Sequence, residues 1–197
     1  MFNRKETDRY LHQTLETERL RLVICSKKVA QNLARHWQNS EDIRRNLMMN
    51  TQGYSNLQWQ RKMKWPDRHS IFYHALVPKE IGKAVGLHQV ILAESGTIDM
   101  AVVIHAQEWW GQDIYFEARQ KIIQHFAQSD RVMRFSGKCL DRNFASIYNY
   151  KRLGFRSVGF VQKSYLDRKA QQHLGVCLFE KMADDVLSET GGGNGQA

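Results

Sequence analysis

The sequence predicts a single domain of the α/β (α+β) class, built on a mixed, mostly antiparallel sheet of about six to seven strands flanked by helices. Its 197 residues are enough for one sizeable core. Short segments of alternating apolar residues recur, and the short gaps between three of them suit antiparallel connections. Segments with helical periodicity lie before and after those three, which adds the flanking helices.

The chain is expected to start with a flexible arm over residues 1–16, because these residues are polar and show no clear periodicity. Alternation from Leu20 to Ile24 then predicts the first strand. A helix follows, carrying Val29, Leu33 and Trp37 at the spacing of one face.

Two further helices are predicted before the central strands. Asn39 or Ser40 can cap the first of them. The second, in NLQWQRKMKWPDR, should stop at Pro66. Its tryptophans alternate with basic residues, which can bind nucleic acid but is more typical of a surface helix with one buried stripe.

The remaining elements are six strands and two helices. Gly111 to Gln128 has a helical stripe, and Asp141 or Asn143 can cap a later helix that Gly154 ends. Strands are predicted in the following segments: 70–77, 84–92, 96–105, 131–140, 155–161 and 173–182. The domain should therefore span residues 17–184, followed by a disordered glycine-rich tail over 185–197.

Composition narrows the function classes. The formal net charge of +9 attracts polyanions such as nucleic acid or a phosphorylated cofactor, without choosing among them. The three cysteines have no CxxC spacing, so we expect reduced structural thiols and no metal site. No apolar segment resembles a secretory signal or is long enough to cross a bilayer, so the expected location is cytoplasmic, without a membrane partner.

Three motifs in one order carry a specific resemblance. They are TERLR at residues 17–21, WGQDIYFEA at 110–118 and NFASIYNYKRLGF at 143–155. The chain resembles the GCN5-related N-acetyltransferases (GNAT superfamily), and most closely the branch that acetylates protein N-termini, including those of ribosomal proteins. That branch often reads TERLRLR, WGKGYATEA and NxxSIxxxxKLGF. The resemblance covers about residues 17 to 182.

The resemblance implies a splayed sheet with acetyl-CoA bound in the gap. The pyrophosphate would lie at a helix N-terminus, and the pantetheine arm would pair with the splayed strand like an extra strand. A primary amine would attack the thioester directly, and backbone N–H groups would stabilise the oxyanion. The implied cofactor-binding residues are Val102, Val103, Ile104, Trp110, Gly111, Gln112, Asp113, Ile114, Tyr115, Asn143 and Ser146.

Two residues depart from the family pattern in the phosphate loop. Gly111 is kept, but Asp113 occupies the position of the family's central glycine, and Tyr115 occupies that of a small residue. A carboxylate that faces a diphosphate repels it. It can instead point away or cap the helix. Tyr115 narrows the approach to the backbone.

Candidate catalytic residues follow from the same resemblance. Tyr150 matches the tyrosine that often protonates the leaving thiolate, although it could also simply pack under the sheet. Glu108, Asp99 and His105 are the candidates for the base, on or just after the splayed strand. The alternatives are solvated strand ends for the two acids and a structural histidine for His105. Glu117 matches the family's helix glutamate and is expected to support structure.

Two functions remain open at this level. The favoured one is an N-acetyltransferase whose acceptor amine belongs to a protein N-terminus or a small molecule, working as a monomer or homodimer. The alternative is a degenerate GNAT-fold protein that binds or modifies nucleic acid or a protein partner without typical acetyl-CoA use. The altered loop and the positive charge favour the alternative, whereas Asn143, Tyr150 and the intact LGF segment favour the enzyme.

Overall fold

The computed structural model of the chain describes residues 10–49 and 54–191. Its strands are β1 Leu15–Glu16, β2 Leu20–Ile24, β3 Ile71–Pro78, β4 Gly86–Leu92, β5 Thr97–Ile104, β6 Arg134–Leu140, β7 Arg156–Asp167 and β8 Gln172–Met182. Its helices are α1 Lys27–Ala34, α2 Glu41–Asn46, α3 Asn56–Lys62, α4 Ile114–Ala127, α5 Phe144–Arg152 and α6 Ala183–Gly191, with a 3-10 helix at Gln107–Trp109.

One sheet contains all eight of these strands, in the order β1-β2-β3-β4-β5-β6-β8-β7. Neighbouring strands pair antiparallel, except that β5 and β6 run parallel. The predicted class, a mixed and mostly antiparallel sheet flanked by helices, is confirmed. The structure has one strand more than the upper predicted number of seven. The additional strand is β1, whose two residues are too few to show periodicity.

The sheet splays between β5 and β6. Their pairing covers Thr97–Asp99 and Arg134–Ser136. Both strands continue past this register, β5 to Ile104 and β6 to Leu140. The parallel strands therefore separate toward their carboxyl ends, and the gap predicted from the resemblance is present.

The side chains of β5 alternate between two apolar layers. Ile98, Met100 and Val102 contact the main core, which includes the buried stripe of α4. Val103 faces the opposite layer, together with Trp37 and Trp59. Around Val102 and Val103 both faces of the strand are thus covered, which explains its apolar run from Met100 to Ile104.

Local signals set most helix ends. Ser40 caps α2, Ser55 caps α3 with a capping box, and Asn143 caps α5 by accepting from the Ser146 N–H. Gly154 then takes a φ of 78°, as predicted for the end of α5. In α1 the predicted stripe is partly wrong, because Val29 is 45% exposed and Ala30 and Ala34 are buried instead.

Both chain ends differ from the prediction. Leu11 is fully buried and Leu15–Glu16 pairs with β2, so residues 10–16 are packed on the domain, unlike a flexible arm. At the other end α6 continues to Gly191 and buries Val186, past the predicted boundary at 184. The rest of the predicted arm and tail, residues 1–9 and 192–197, lies outside the described residues.

In the described ranges the three cysteines are free, Cys25 and Cys139 being buried and Cys177 half-buried. The described helices include none long and apolar enough to span a membrane.

Candidate active site

Two cavities meet at the splayed strand β5. The first, here called the loop cavity, has a volume of about 380 Å³ and lies between β5, the loop before α4, and α5. The second, here called the lysine cleft, has a volume of about 470 Å³ and lies between β5 and the segments around α2 and α3. Both are lined by Leu47, Met100, Ala101, Val103 and Lys138, so they adjoin each other along the strand.

The loop cavity gathers most of the predicted cofactor-binding residues. Of that set, Gln112 and Asp113 lie exposed in the loop beside it, and Ile114 is buried in the core. The predicted residues that line it are Val102, Val103, Ile104, Trp110, Gly111, Tyr115, Asn143 and Ser146, together with the candidate acid Tyr150.

The loop reaches α4 through two left-handed residues. Gly111 has a φ of 75° and Asp113 a φ of 61°. A Cβ added at Gly111 would meet nothing within 4 Å, so the backbone conformation alone favours glycine there. Asp113 is the N-cap residue of α4 but makes no side-chain cap hydrogen bond. The N–H groups at the start of α4 are left for a ligand.

The carboxylate of Asp113 is neutralised by Arg152. The Arg152 guanidinium donates to Asp113 Oδ1 over 2.7 Å, and its central carbon lies 3.8 Å from the Phe116 ring centroid. This hydrogen bond is the main reason that the pKa of Asp113 lies below its usual value. The carboxylate that replaces glycine at position 113 is thus paired with a counter-ion, Arg152, from the last turn of α5.

The turn between β1 and β2 clamps the same loop. Thr17 Oγ1 donates to Glu117 over 2.5 Å, and Arg19 Nε donates to the same carboxylate over 2.7 Å. Arg19 also donates to the carbonyl of Gln112 over 2.9 Å. The TERLR and WGQDIYFEA motifs, roughly a hundred residues apart in sequence, are therefore in direct contact. Glu117 makes the structural contacts that were expected of it.

Arg119 is the site residue that the sequence did not reveal. It is 1% exposed and lines the loop cavity. Its guanidinium donates to the Tyr115 hydroxyl and, over 3.1 Å, to the carbonyl of Met100. Tyr115 and Arg119 lie one turn apart on α4, and this i, i+4 spacing was the signal available.

Tyr150 lies flat against β6 beside the loop cavity. Its ring stacks on Phe179 with centroids 4.8 Å apart. Gly137 makes this position possible, since a Cβ there would stand 2.3 Å from Tyr150 Cε1. A glycine inside a strand often marks such a close approach, so this signal could have been read. Tyr150 is both packed and at the cavity wall, which fits either predicted role.

Asp99 is the one predicted base that lines a cavity. It is exposed at the lysine cleft, on the face of β5 opposite Met100. Ser136 donates to its Oδ1 over 2.5 Å. The same cleft is lined by Lys62, Lys64 and Lys138, whose side chains are all exposed.

The other two base candidates lie elsewhere. Glu108 is exposed on the 3-10 helix, and its backbone carbonyl accepts from Gln112 Nε2 over 2.6 Å. His105 stacks on His36, with ring centroids 4.8 Å apart. Burial, followed by the nearby His36, lowers the pKa of His105. Neither residue lines the two cavities.

The basic segment around α3 does not present its aromatic rings to solvent. Trp59 is buried against Trp37, and Trp65 packs on Tyr73. The rings cover the sheet and the basic side chains point outward, which matches the surface-helix interpretation.

A family model of the acetyltransferase (GNAT) domain matches residues 13–156. The chain belongs to the GNAT acetyltransferase family. The predicted enzyme class, an acyl-CoA-dependent N-acetyltransferase with acetyl-CoA as its cofactor, is thereby confirmed at the level of the family. No curated protein matches the sequence.

Solved structures show that the GNAT fold extends over most of the chain. The spermidine N-acetyltransferase from Vibrio cholerae, in complex with CoA and spermine, is similar with a TM-score of 0.72 at 12% identity, covering 87% of this chain and 99% of that one. The ribosomal-protein-S5-alanine acetyltransferase from Vibrio fischeri has a TM-score of 0.71 at 16% identity, covering 88% and 98%. The microcin C7 self-immunity acetyltransferase, in complex with acetyl-CoA and AMP, has a TM-score of 0.67 at 18% identity, covering 84% and 93%.

Proposed function

We propose that this GNAT protein transfers an acetyl group from acetyl-CoA to a primary amine on an acceptor that also carries negative charge, by direct attack on the thioester. The observation that carries the proposal is the pair of adjoining cavities on β5, one beside the phosphate loop and one lined by three lysines. Donor and acceptor would meet where the cavities join, at Met100 and Ala101.

The loop cavity suits the donor. The start of α4 offers N–H groups to the pyrophosphate, and Arg152 cancels the charge of Asp113 beside it. The carbonyls of Met100 and Ile104 point to the open side of β5, since they accept from Arg119 and from Trp110. Val102 lies two residues from each, so by strand alternation its peptide groups face the same gap, where a pantetheine amide could pair.

The lysine cleft suits an anionic acceptor. Its floor is apolar, and its exposed cations, Lys62, Lys64 and Lys138, would attract a carboxylate or phosphate and repel a polycation. Asp99 is the carboxylate at the same cleft. An acidic protein N-terminus or a small zwitterion fits this arrangement, whereas a polyamine such as spermidine does not.

Asp99 is the base we propose for the attack. It would accept a proton from the incoming ammonium, directly or through a water, before nitrogen attacks the carbonyl carbon. Ser136 orients it through the 2.5 Å hydrogen bond. Tyr150, on the other side of the strand, would protonate the departing sulfur.

The test uses two peptides that share a free α-amine and differ only in acidic against basic residues after it, with spermidine and an N-terminally blocked peptide beside them. We expect the acidic peptide to be acetylated at its α-amine, as read by mass spectrometry and CoA release. Asp99→Asn should lower kcat on the order of a hundredfold or more. Glu108→Gln, the matched control, should not. Equal use of both peptides would contradict the acceptor class, and full activity of Asp99→Asn would contradict the base.

A further inference from the structure

A permanently charged guanidinium is enclosed at the wall of the loop cavity. Arg119 is 1% exposed, and guanidinium does not lose its proton in proteins. In the part of the chain that the structure describes, no carboxylate pairs with it. Its polar contacts are the oxygens of Tyr115, Met100 and Tyr150, none of which belongs to a carboxylate, and its Nε has no hydrogen-bond partner among the described atoms.

Three titratable groups around Arg119, which are Tyr115, Cys139 and His88, are neutral at physiological pH. Burial raises the pKa of Tyr115 to about 12 and that of Cys139 to about 11. Burial holds the pKa of His88 well below its usual value. The fourth neighbour is Tyr150, whose ring centroid lies 4.9 Å from the guanidinium carbon. The other charged side chains that line the two cavities are Lys62, Lys64, Lys138 and Asp99, and all four are exposed.

A buried charge without a counter-ion is unfavourable unless something repays its desolvation. If Arg119 only filled space, an apolar side chain of similar volume would make the fold more stable. The position therefore implies an anion that is absent from the protein and that arrives in the cavity.

The place of Arg119 indicates which anion this is. Its bond to the Met100 carbonyl holds it where β5 begins to leave β6, at the strand residue that lines both cavities. Under the proposed function, on which this inference rests, the thioester must lie at that junction for the amine to reach it. Tyr150, the proposed proton donor to sulfur, lies against the same guanidinium.

We propose that Arg119 stabilises the thiolate of coenzyme A as it leaves. When the amine nitrogen bonds to the carbonyl carbon and the tetrahedral intermediate collapses, the C–S bond breaks and its electron pair goes to sulfur. Arg119 would balance this negative charge as it develops, and Tyr150 would then donate its proton to give the free thiol. The ammonium proton taken by Asp99 before the attack is released to solvent. The nitrogen loses a second proton as the amide forms, and this proton balances the one that Tyr150 gives to sulfur, so the amide and the free thiol form with net release of one proton.

The test measures the thiol of CoA bound to the whole chain, so it needs no acceptor. Calorimetry first establishes binding of CoA. The pKa of the bound thiol is then followed by the ultraviolet absorbance of its thiolate, with the desulfo-CoA complex subtracted to remove protein thiols and tyrosines. We expect the thiol pKa in the wild-type complex to lie roughly 1 to 3 units below that of free CoA. Burial alone would shift it upward, so the direction is diagnostic.

Two variants make the assignment specific. Arg119→Met keeps the length and removes the charge, and the bound thiol pKa should rise above the free value. Arg119→Lys keeps a charge and should retain part of the lowering. An unshifted or raised pKa in the wild-type complex would overturn the inference even if the variants fail to fold. Failure of the wild-type protein to bind CoA at all would instead overturn the proposed function, and the inference with it.

Discussion

Asp113 shows how one residue can break a motif and leave the site usable. A carboxylate replaces glycine next to the expected diphosphate, yet Arg152 reaches it from α5 over 2.7 Å. The pair is solvent-exposed, with 35% and 58% of the two side chains accessible, so its effect is local neutralisation more than stability. The sequence identified the acid but not its partner, because the two are 39 positions apart and belong to different elements.

Removing Arg152 should therefore leave the negative charge of Asp113 without a counter-ion. We expect Arg152→Ala to weaken acetyl-CoA binding on the order of tenfold at low salt, with a smaller effect at high salt. Asp113→Gly in the same chain should restore most of the affinity, as measured by calorimetry. Arg156→Ala, which breaks an exposed pair with Glu180 at the sheet edge, is the matched control. A double variant as weak as the single one would mean that Arg152 binds the cofactor itself.

Between elements, the contact of α5 with β6 sets the position of the candidate acid. Gly137→Ala would force the Tyr150 ring away, since the new Cβ would stand 2.3 Å from it. We expect a loss of roughly 1 to 3 kcal/mol in the free energy of unfolding, measured with urea. Gly159→Ala on β7 is the control, because its Cβ would make an ordinary 3.5 Å contact with Leu178. Equal stability of the two variants would contradict this packing.

The sequence predicted elements well where periodicity or capping was strong. The stripe of Ile114, Ala118, Ile122 and Phe126 is buried as expected. The sequence did not predict β1, because a strand of two residues is too short to show periodicity. The part of the site that consists of family motifs was predictable, so most residues of the loop cavity were predicted correctly. The Thr17–Glu117 contact was not predicted, because a tertiary pair between distant elements leaves no local pattern. Arg119 was missed although its i, i+4 spacing from Tyr115 on α4 is a local signal.

Across the whole molecule, enclosed histidines predict acid sensitivity. Burial lowers the pKa of His74 and His125 to about 4, and it lowers the pKa of His88 well below its usual value. These groups stay neutral in the fold but take up protons near pH 6.5 when unfolded, so stability falls as pH drops from about 6.5 to about 4. The fully enclosed His74 alone should contribute up to about 1.4 kcal/mol per pH unit.

Urea unfolding at pH 7.5 and at pH 5 measures this change. His88→Leu should flatten the dependence in that window while leaving a folded protein at neutral pH. Asp67 has a pKa of about 2, because hydrogen bonds from Ser70, His69 and Ile71 outweigh its burial. Its contribution to stability is present at both pH values and is lost only as the pH falls from about 3.8 to about 2, so it does not affect this comparison. Stability that is constant between the two pH values would contradict the prediction.

The Asp113–Arg152 pair also constrains the order in which its members can have been acquired. Beginning from a loop with glycine at 113, an aspartate alone would face the diphosphate without a counter-ion and weaken the donor site. An arginine at 152 alone would add a positive charge near the same phosphates and harm nothing. The path that never weakens the donor site is therefore the one on which the arginine comes first. With both residues present, losing the arginine would leave the acid without its counter-ion, so the residue at 152 on α5 now depends on the residue at 113.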